Sequence, residues 1–215
     1  ELPEGEIRQR LLAMTIRCGA RLASVQVMDS SRRSKLANAY FAGVGRNRRV
    51  VLSDTLIERL SPTQIEAVMA HELGHDQCRH IWHYYSLQGT LIWLALATSG
   101  TFAASWLPTL SPAVVCCALY LLLPALAWPL TPWLACLRRR YEYEADAFAA
   151  RYTSSQALYE ALEILLGSNP GTHTMDSCYA FFYATHPLPQ SRLQKLAVNN
   201  AGGKLDSNDY LASDS

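Results

Sequence analysis

The sequence has almost no net charge, and its middle has no charged side chain at all. Its 19 Lys and Arg residues balance 18 Asp and Glu residues, which gives a formal net charge of +1. Because a nucleic-acid-binding surface needs an excess of positive charge, we expect no nucleic-acid partner. The 215 residues, 50% hydrophobic, suffice for one domain with a core, or for a smaller domain with membrane spans.

The cysteines lack the spacing of a metal cluster. No Cys-x-x-Cys pair occurs among the six, which stand at positions 18, 78, 116, 117, 136 and 178. This pattern argues against a structural zinc cluster and against a disulfide framework. We expect reduced thiols in a protein that faces the cytosol.

The amino terminus lacks an initiating Met and the charged and apolar regions of a signal peptide. We therefore expect an upstream portion, with room for further membrane spans. The segment 5–21 has helical spacing of its apolar residues. Three short runs that follow, "ASVQVMDS", "NAYFAG" and "RRVVLSD", are rich in β-branched and aromatic residues and predict a small antiparallel sheet.

The second of these runs is a candidate substrate-binding strand. An extended peptide can add to an exposed sheet edge, and we expect this edge at Asn38, Ala39, Tyr40 and Phe41. The alternative is an ordinary strand of the sheet.

The residues from 87 to 137 contain no Asp, Glu, Lys or Arg. Two runs, 87–107 and 112–137, are each long enough to cross a bilayer as a helix, and the connection "PTLSP" is short. Arg79 precedes the first run and Arg138 follows the second, so the positive-inside tendency predicts a hairpin with both ends in the cytoplasm. The alternative, two core helices of a soluble protein, requires a larger core than this chain can build.

The segment "AVMAHELGHDQCRHIW" (67–82) carries the pattern His-Glu-x-x-His. Ser61, Pro62 and Gln64 predict the start of a helix with a capping box, so His71 and His75 lie well inside the helix and share a face. Two imidazoles at this spacing can bind zinc, and Glu72 beside them can act as a general base.

A catalytic zinc site needs a third protein ligand and an open position for water. Downstream, "RRYEYEADAFA" places Glu142 and Asp146 four residues apart, hence on one helical face. We expect Glu142 to bind the metal and Asp146 to accept a hydrogen bond from His71. Three neighbours are assigned no role in the chemistry: Glu144 is expected to be solvated, and His80 and His83 to lie at the membrane interface. His173 is likewise given no role.

The segments "NAYFAG", "HELGH", "RRYEYEADAFA" and "THPLPQSRL", in this order, resemble those of the integral-membrane zinc metallopeptidases that include CAAX prenyl protease 1 and the heat-shock protease HtpX. The resemblance covers most of residues 1–197. It implies one Zn²⁺ per chain, with His71, His75 and Glu142 as ligands and Glu72 as general base. It also implies active-site support from His186 and Arg192.

The resulting fold prediction is mainly α with a small antiparallel β-sheet, a zincin-like peptidase domain interrupted by a transmembrane hairpin. We expect peptidase parts at 1–86 and 138–200, the hairpin at 87–137 and a disordered tail at 201–215. The predicted function is zinc-dependent endopeptidase cleavage of membrane-associated or misfolded proteins, or CAAX-type processing at the carboxyl terminus.

The predicted location is a bilayer, that of the bacterial inner membrane, in a multi-pass protein whose active site faces the cytoplasm. The partners are then a protein or peptide substrate and lipid. Two alternatives remain open: a catalytically silent membrane scaffold or chaperone, and a metallopeptidase-type signalling receptor.

Overall fold

The structure is a computed structural model. It describes residues 1–32, 37–43, 47–106, 109, 111–167, 176, 179, 182–184, 186–187 and 189–200. The elements in chain order are α1 (Glu6–Arg17), β1 (Ser24–Met28), β2 (Ala39–Ala42), β3 (Arg49–Ser53), α2 (Asp54–Arg59), α3 (Pro62–Gln77), α4 (His80–Trp106), α5 (Pro112–Ala127), a 3₁₀ turn (Trp128–Leu130), α6 (Thr131–Tyr152), α7 (Ser155–Gly167) and α8 (Pro189–Asn200). The chain is thus mainly helical with one small sheet, as predicted.

The sheet is mixed rather than antiparallel. β3 is its central strand and pairs with β1 on one side and β2 on the other. β2 runs antiparallel to β3, as expected for neighbours in the sequence, with Tyr40 opposite Val51. β1 runs parallel to β3, with Val25 opposite Val50, so the prediction is wrong for this pair. The cause is burial. In β3 every residue after Arg49 is buried, and a strand buried on both faces occupies the central position of a sheet, with a neighbouring strand on each side.

Helix α3 forms the centre of the core. It packs against α1, α6, α7 and β2. Ile65, Met69 and Leu73 are completely buried on it. Neighbours on several sides fix the position of α3, which makes it a rigid base for functional side chains.

The chain between the two halves of the core exposes many large apolar side chains, among them Trp93, Leu94, Leu96, Phe102, Leu121 and Leu122. Among the described residues, one helical run, Pro112–Tyr152, is long and apolar enough to cross a membrane, and its most apolar window is wholly unburied. This run contains the predicted second span, 112–137. The predicted first span, 87–107, coincides with most of α4 but does not meet the same criteria.

Parts of the sequence analysis fall on residues that the structure does not describe. These are the tail at 201–215, His173 and most of the connection between the two predicted spans.

Candidate metal centre

The two imidazoles of the His-Glu-x-x-His pattern lie side by side on α3. The helix begins as predicted, because the Ser61 side chain accepts a hydrogen bond from the Gln64 backbone while the Gln64 side chain accepts one from the Ser61 backbone. Four residues are close to one helical turn, so His71 Nε2 lies 3.2 Å from His75 Nε2. Two nitrogen donors therefore converge on one point.

Helix α6 brings Glu142 to the same point. Its Oε2 lies 3.6 Å from His71 Nε2 and its Oε1 lies 3.4 Å from His75 Nε2. In the described part of the chain these three residues form the one group of His, Cys, Asp or Glu side chains that could hold a metal ion. A carboxylate thus joins two imidazoles that precede it by 67 and 71 positions in the sequence, and the three form one cluster.

The separations fit a zinc ion. Ligand atoms at the corners of a tetrahedron, each bonded to zinc at its usual length, lie about 3.4 Å from one another. The two imidazole nitrogens lie 3.2 Å apart, His75 Nε2 lies 3.4 Å from Glu142 Oε1, and His71 Nε2 lies 3.6 Å from Glu142 Oε2, so each pair of side chains has donor atoms at about this spacing. Two imidazoles and one carboxylate also form a donor set found in catalytic zinc sites, which keep a fourth position open. The residues present therefore fit zinc.

A buried ion pair lies behind the metal ligands. Asp146 accepts two hydrogen bonds from Arg192, from Nε at 2.8 Å and from Nη2 at 2.6 Å. Arg192 Nη1 also lies 3.3 Å from Glu142 Oε2. His71 Nδ1 lies 2.9 Å from Asp146 Oδ1, a hydrogen-bonding length, although the N–H is not aligned with the oxygen. Asp146 therefore stands where the sequence analysis expects it, and Arg192 contacts two carboxylates.

The charges of this cluster hold one another in their ionised forms. Burial alone would raise the pKa of Glu142, but hydrogen bonds from His186 and His75 outweigh it and hold that pKa far below its usual range. Burial would likewise raise the pKa of Asp146, and the charge of Arg192 reverses the effect. Glu142 and Asp146 are therefore both carboxylates at neutral pH, the form that a metal ligand and a hydrogen-bond acceptor require.

His186 lies at the exposed edge of the cluster. Its Nδ1 is 3.1 Å from Glu142 Oε1, and its side chain is largely exposed. The hydrogen bond to Glu142 raises the pKa of His186. The structure thus brings His186, Arg192 and the three ligand residues together.

The other predicted site residues lie nearby on α3 and on the sheet. Glu72 is half-buried next to His71, and within the described residues its carboxylate has no hydrogen bond or ion pair. Ala39–Ala42 forms an edge of the sheet as described, where β2 pairs with β3 and with no other strand. Asn38 precedes this strand and its backbone N–H donates to Ser53 Oγ. β2 also contacts α3, so the candidate substrate strand and the metal ligands belong to neighbouring elements.

Two further residues lie next to the metal ligands and were not predicted there from the sequence. His80, expected at the membrane interface, is 3% exposed, and its Nδ1 lies 3.0 Å from His75 Nδ1. Glu144, expected to be solvated, is half-buried and lies 3.1 Å from His80 Nε2. Between α3 and α4, Arg79 adopts a left-handed conformation, φ 54°, in the short turn that separates the two helices. This turn contains no Gly, Pro or Asn, so nothing in the local sequence indicates it.

Three cavities follow one another from the ligand cluster to the apolar helices. The metal-side cavity, about 230 Å³, is lined by His75, His80, Ile81, Tyr84, Tyr85, Arg138, Tyr141, Glu142 and His186. The middle cavity, about 400 Å³, shares Tyr84 and Arg138 with it. The apolar cavity, about 800 Å³, lies between α4 and α5 and shares Gln88 and Leu134 with the middle one. Neighbouring cavities share lining residues, so the series extends from polar side chains at the ligand cluster to apolar side chains of α4 and α5.

The chain is similar in sequence to known peptidases. The model of Peptidase family M48 matches residues 1–199. CAAX prenyl protease 1 of Saccharomyces cerevisiae is 31% identical over 218 residues, covering 91% of this chain and 48% of the yeast protein. The human CAAX prenyl protease 1 homolog is 27% identical, with 91% and 51% covered. The chain spans about half the length of these relatives.

A solved structure shares the fold. The crystal structure of S. mikatae Ste24p superposes with a TM-score of 0.79 at 27% identity, covering 91% of this chain and 51% of that one. The resemblance to the prenyl protease family is confirmed, and so is zinc as the expected cofactor, since the family uses zinc and the site fits it. The chain belongs to Peptidase family M48.

Proposed function

We propose that this protein is a membrane-embedded zinc metalloendopeptidase. One observation carries the proposal: two imidazoles of α3 and the Glu142 carboxylate of α6 bring donor atoms within 3.2–3.6 Å of one another, close enough to share one zinc ion. The Glu72 carboxylate, which has no partner among the residues that the structure describes, adjoins the first ligand. A ligand triad with a free base beside it is what hydrolysis requires, whereas a scaffold or chaperone needs no such base.

Glu72 is the proposed general base. When bound, zinc supplies Lewis acidity, which polarises the scissile carbonyl and lowers the pKa of the attacking water. Glu72 takes a proton from that water as it attacks, and then passes the proton to the leaving amine. A carboxylate engaged in an ion pair would be a weaker base, so the absence of a partner among the described residues suits this role.

His186 is the proposed source of positive charge for the transition state. Its contact with Glu142 uses Nδ1, which leaves Nε2 free to face a substrate. The raised pKa of His186 favours the imidazolium form, and a cation at this edge would stabilise the developing oxyanion. Arg192 is the proposed positioning residue, because its guanidinium holds the Asp146 and Glu142 carboxylates in place.

The substrate is proposed to bind as an extended strand. β2 has one unpaired edge within the described sheet and lies against α3. Backbone hydrogen bonds to Ala39, Tyr40 and Phe41 would hold a peptide without demanding a particular sequence. Asn38 lies at the start of this edge.

The chain is proposed to sit in the bilayer through a hairpin over 87–137, with both ends and the metal site at the cytoplasmic face. The exposed apolar side chains of α4 and α5 and the one helical run that meets the spanning criteria support it. Arg79 and Arg138–Arg140 flank this stretch, and positive flanks favour the cytoplasm. A bacterial inner membrane is the proposed location.

The proposed substrate class is a protein that carries an apolar group near its carboxyl terminus, as in CAAX-type processing. The row of cavities offers an apolar group a place away from the metal. Arg138 lines the first two cavities, lies over the Tyr84 ring at 4.3 Å and has no acidic partner among the described residues, so its charge is available to a substrate carboxylate. Damaged or misfolded membrane proteins are the second candidate class.

The test is hydrolysis by the zinc-loaded protein in detergent, compared with Glu72→Gln and with Glu58→Gln, an exposed residue of α2. Substrates are an unfolded protein and a prenylated peptide. We expect wild type and Glu58→Gln to cleave, and a chelator to stop both. Glu72→Gln should lose about 10²–10⁴-fold in kcat while it keeps its zinc, since a general base contributes a factor of this size. Equal zinc content with no cleavage of either substrate by the wild type would favour the scaffold alternative.

A further inference from the structure

The second metal ligand has a partner on its outer nitrogen. His75 Nε2 faces His71 and Glu142, so the metal would take this atom, and His75 Nδ1 points away from the cluster. Nδ1 lies 3.0 Å from His80 Nδ1, the first residue of α4. The two ring nitrogens are close enough for one to donate its proton to the other.

His80 is itself fixed on its other sides. Its ring stacks on Tyr141, with centroids 4.3 Å apart and planes 11° from parallel. Its Nε2 lies 3.1 Å from Glu144 Oε2, and Glu144 Oε1 accepts a hydrogen bond from Arg140 at 2.9 Å. A buried imidazole with both nitrogens engaged and its face covered has one orientation.

The metal determines which nitrogen donates in each of these hydrogen bonds. A neutral imidazole that binds zinc through Nε2 carries its proton on Nδ1. His75 then donates to His80 Nδ1, which must be unprotonated, so the His80 proton lies on Nε2 and is donated to Glu144. In the series His75, His80 and Glu144, each side chain then has a hydrogen-bond partner. Glu144, the last of the three, is also paired with Arg140.

The same pattern occurs on the first ligand in a shorter form. His71 Nδ1 faces Asp146, and Asp146 is paired with Arg192. Each ligand imidazole thus has, on its outer nitrogen, a link to a carboxylate that is paired with an arginine. The link is direct for His71, whose partner is Asp146, and runs through His80 for His75, whose carboxylate is Glu144. Such partners fix the tautomer and ring orientation of a ligand and raise its basicity.

We propose that His80 is a positioning residue of the metal centre, which together with Glu144 holds His75 in the tautomer and orientation that bind zinc. The inference rests on the zinc site of the proposed function but not on the reaction. Its measurable consequence is the strength of metal binding.

The test separates the hydrogen bond from packing by means of two substitutions. His80→Phe keeps a ring over Tyr141 but offers His75 no acceptor, whereas His80→Gln offers an amide oxygen to His75 and an amide N–H to Glu144. His83→Phe, the same change at an exposed histidine of α4, is the matched control. The readouts are the zinc dissociation constant, by competition with a chromophoric chelator, and the visible spectrum of the Co²⁺-substituted protein.

We expect His80→Phe to bind zinc 10–100-fold more weakly, which is the usual effect of losing such a partner. Its Co²⁺ bands should shift, while His80→Gln recovers most of the affinity and His83→Phe changes neither readout. Wild-type affinity in His80→Phe would overturn the inference, and so would an equal loss in His80→Gln and His80→Phe, since packing alone would then explain it.

A second variant covers the case in which His80→Phe fails to fold. Glu144→Gln leaves the buried ring untouched and removes the charge at the end of the series, so we expect a severalfold weaker zinc affinity. Wild-type affinity in this variant would contradict the inference. Zinc binding without hydrolysis in the wild type would refute the proposed function alone, whereas absence of zinc binding in the wild type would refute both.

Discussion

Asp146 and Arg192 form the most deeply buried ion pair of the centre. The exposed fraction of the two side chains is 3% and 11%, and Asp146 also faces His71. We expect Asp146→Asn to lower the free energy of unfolding by about 3 kcal/mol, the lower end of the range for a broken buried pair, because Arg192 keeps its contact with Glu142. Zinc affinity should fall about 10–100-fold, because a neutral amide is a weaker acceptor for the His71 N–H.

The control for this change is Asp29→Asn. Asp29 also pairs with an arginine, Arg32, but its side chain is 57% exposed, and exposed pairs contribute about 0–1 kcal/mol. Denaturant unfolding and chelator competition on both variants are the measurements. Asp146→Asn with the stability and zinc affinity of Asp29→Asn would show that the buried carboxylate has no role at the centre.

The sequence predicted those residues of the metal centre that share a face of one helix. His71, Glu72 and His75 share one helix, and Glu142 and Asp146 share another, so periodicity alone groups each set. The meeting of the two sets depends on the packing of α3 on α6. His80 could not be placed in this way, since it contacts His75 across a left-handed residue, Arg79, that belongs to neither helix.

At the level of elements, Gly74 sets the distance between α3 and α6. A methyl group at this position would lie 3.1 Å from Ala145 Cα and 3.1 Å from Phe148 Cβ, closer than side chains normally approach. We expect Gly74→Ala to push the helices apart by a few tenths of an ångström, moving Glu142 away from His71 and His75. Zinc affinity should fall severalfold, and overpacking of about 1–3 kcal/mol should exceed the gain in helix propensity, about 1 kcal/mol.

Gly89→Ala is the matched control, because Gly89 is also helical and a methyl group there meets nothing within 4 Å. Thermal unfolding and zinc competition would distinguish the two variants. If Gly74→Ala were neutral or stabilising in both measurements, as we expect of Gly89→Ala, the close approach of the helices would not control the geometry of the centre.

The boundaries of a helix were easiest to predict where the sequence carries a capping signal. The capping box at Ser61 and Gln64 marks the start of α3 at the position the structure shows. The sheet was less predictable, because tight turns between consecutive strands suggest antiparallel neighbours. β1 instead pairs in parallel with the third strand, and that choice is made by burial of β3 rather than by any turn.

At the scale of the whole molecule, the uncharged stretch joins two halves that share one metal site. His71 and His75 precede residues 87–137, and Glu142 follows them. The three ligands can therefore meet only if residues 87–137 end on the same side of the bilayer on which they begin. A helical hairpin does so, whereas a single crossing would place the two halves on opposite faces of a bilayer. The ligand geometry therefore favours an even number of crossings between the two halves.

The cysteines of this stretch provide a direct test of its place in the membrane. Cys117 lies on α5, five residues after its first residue Pro112 and inside the predicted second span 112–137, and is exposed at the surface of the protein. We expect a protein that keeps Cys117 as its only cysteine to resist a membrane-impermeant maleimide in lipid vesicles, because the thiolate is the reactive form and hydrocarbon disfavours charge. Detergent should make it reactive.

The control is Glu163→Cys in a cysteine-free protein, an exposed position of α7 that should react in vesicles wherever it faces outward. If Cys117 reacted in intact vesicles at the rate of the control, α5 would lie outside the bilayer, and the two helices would belong to a water-exposed assembly.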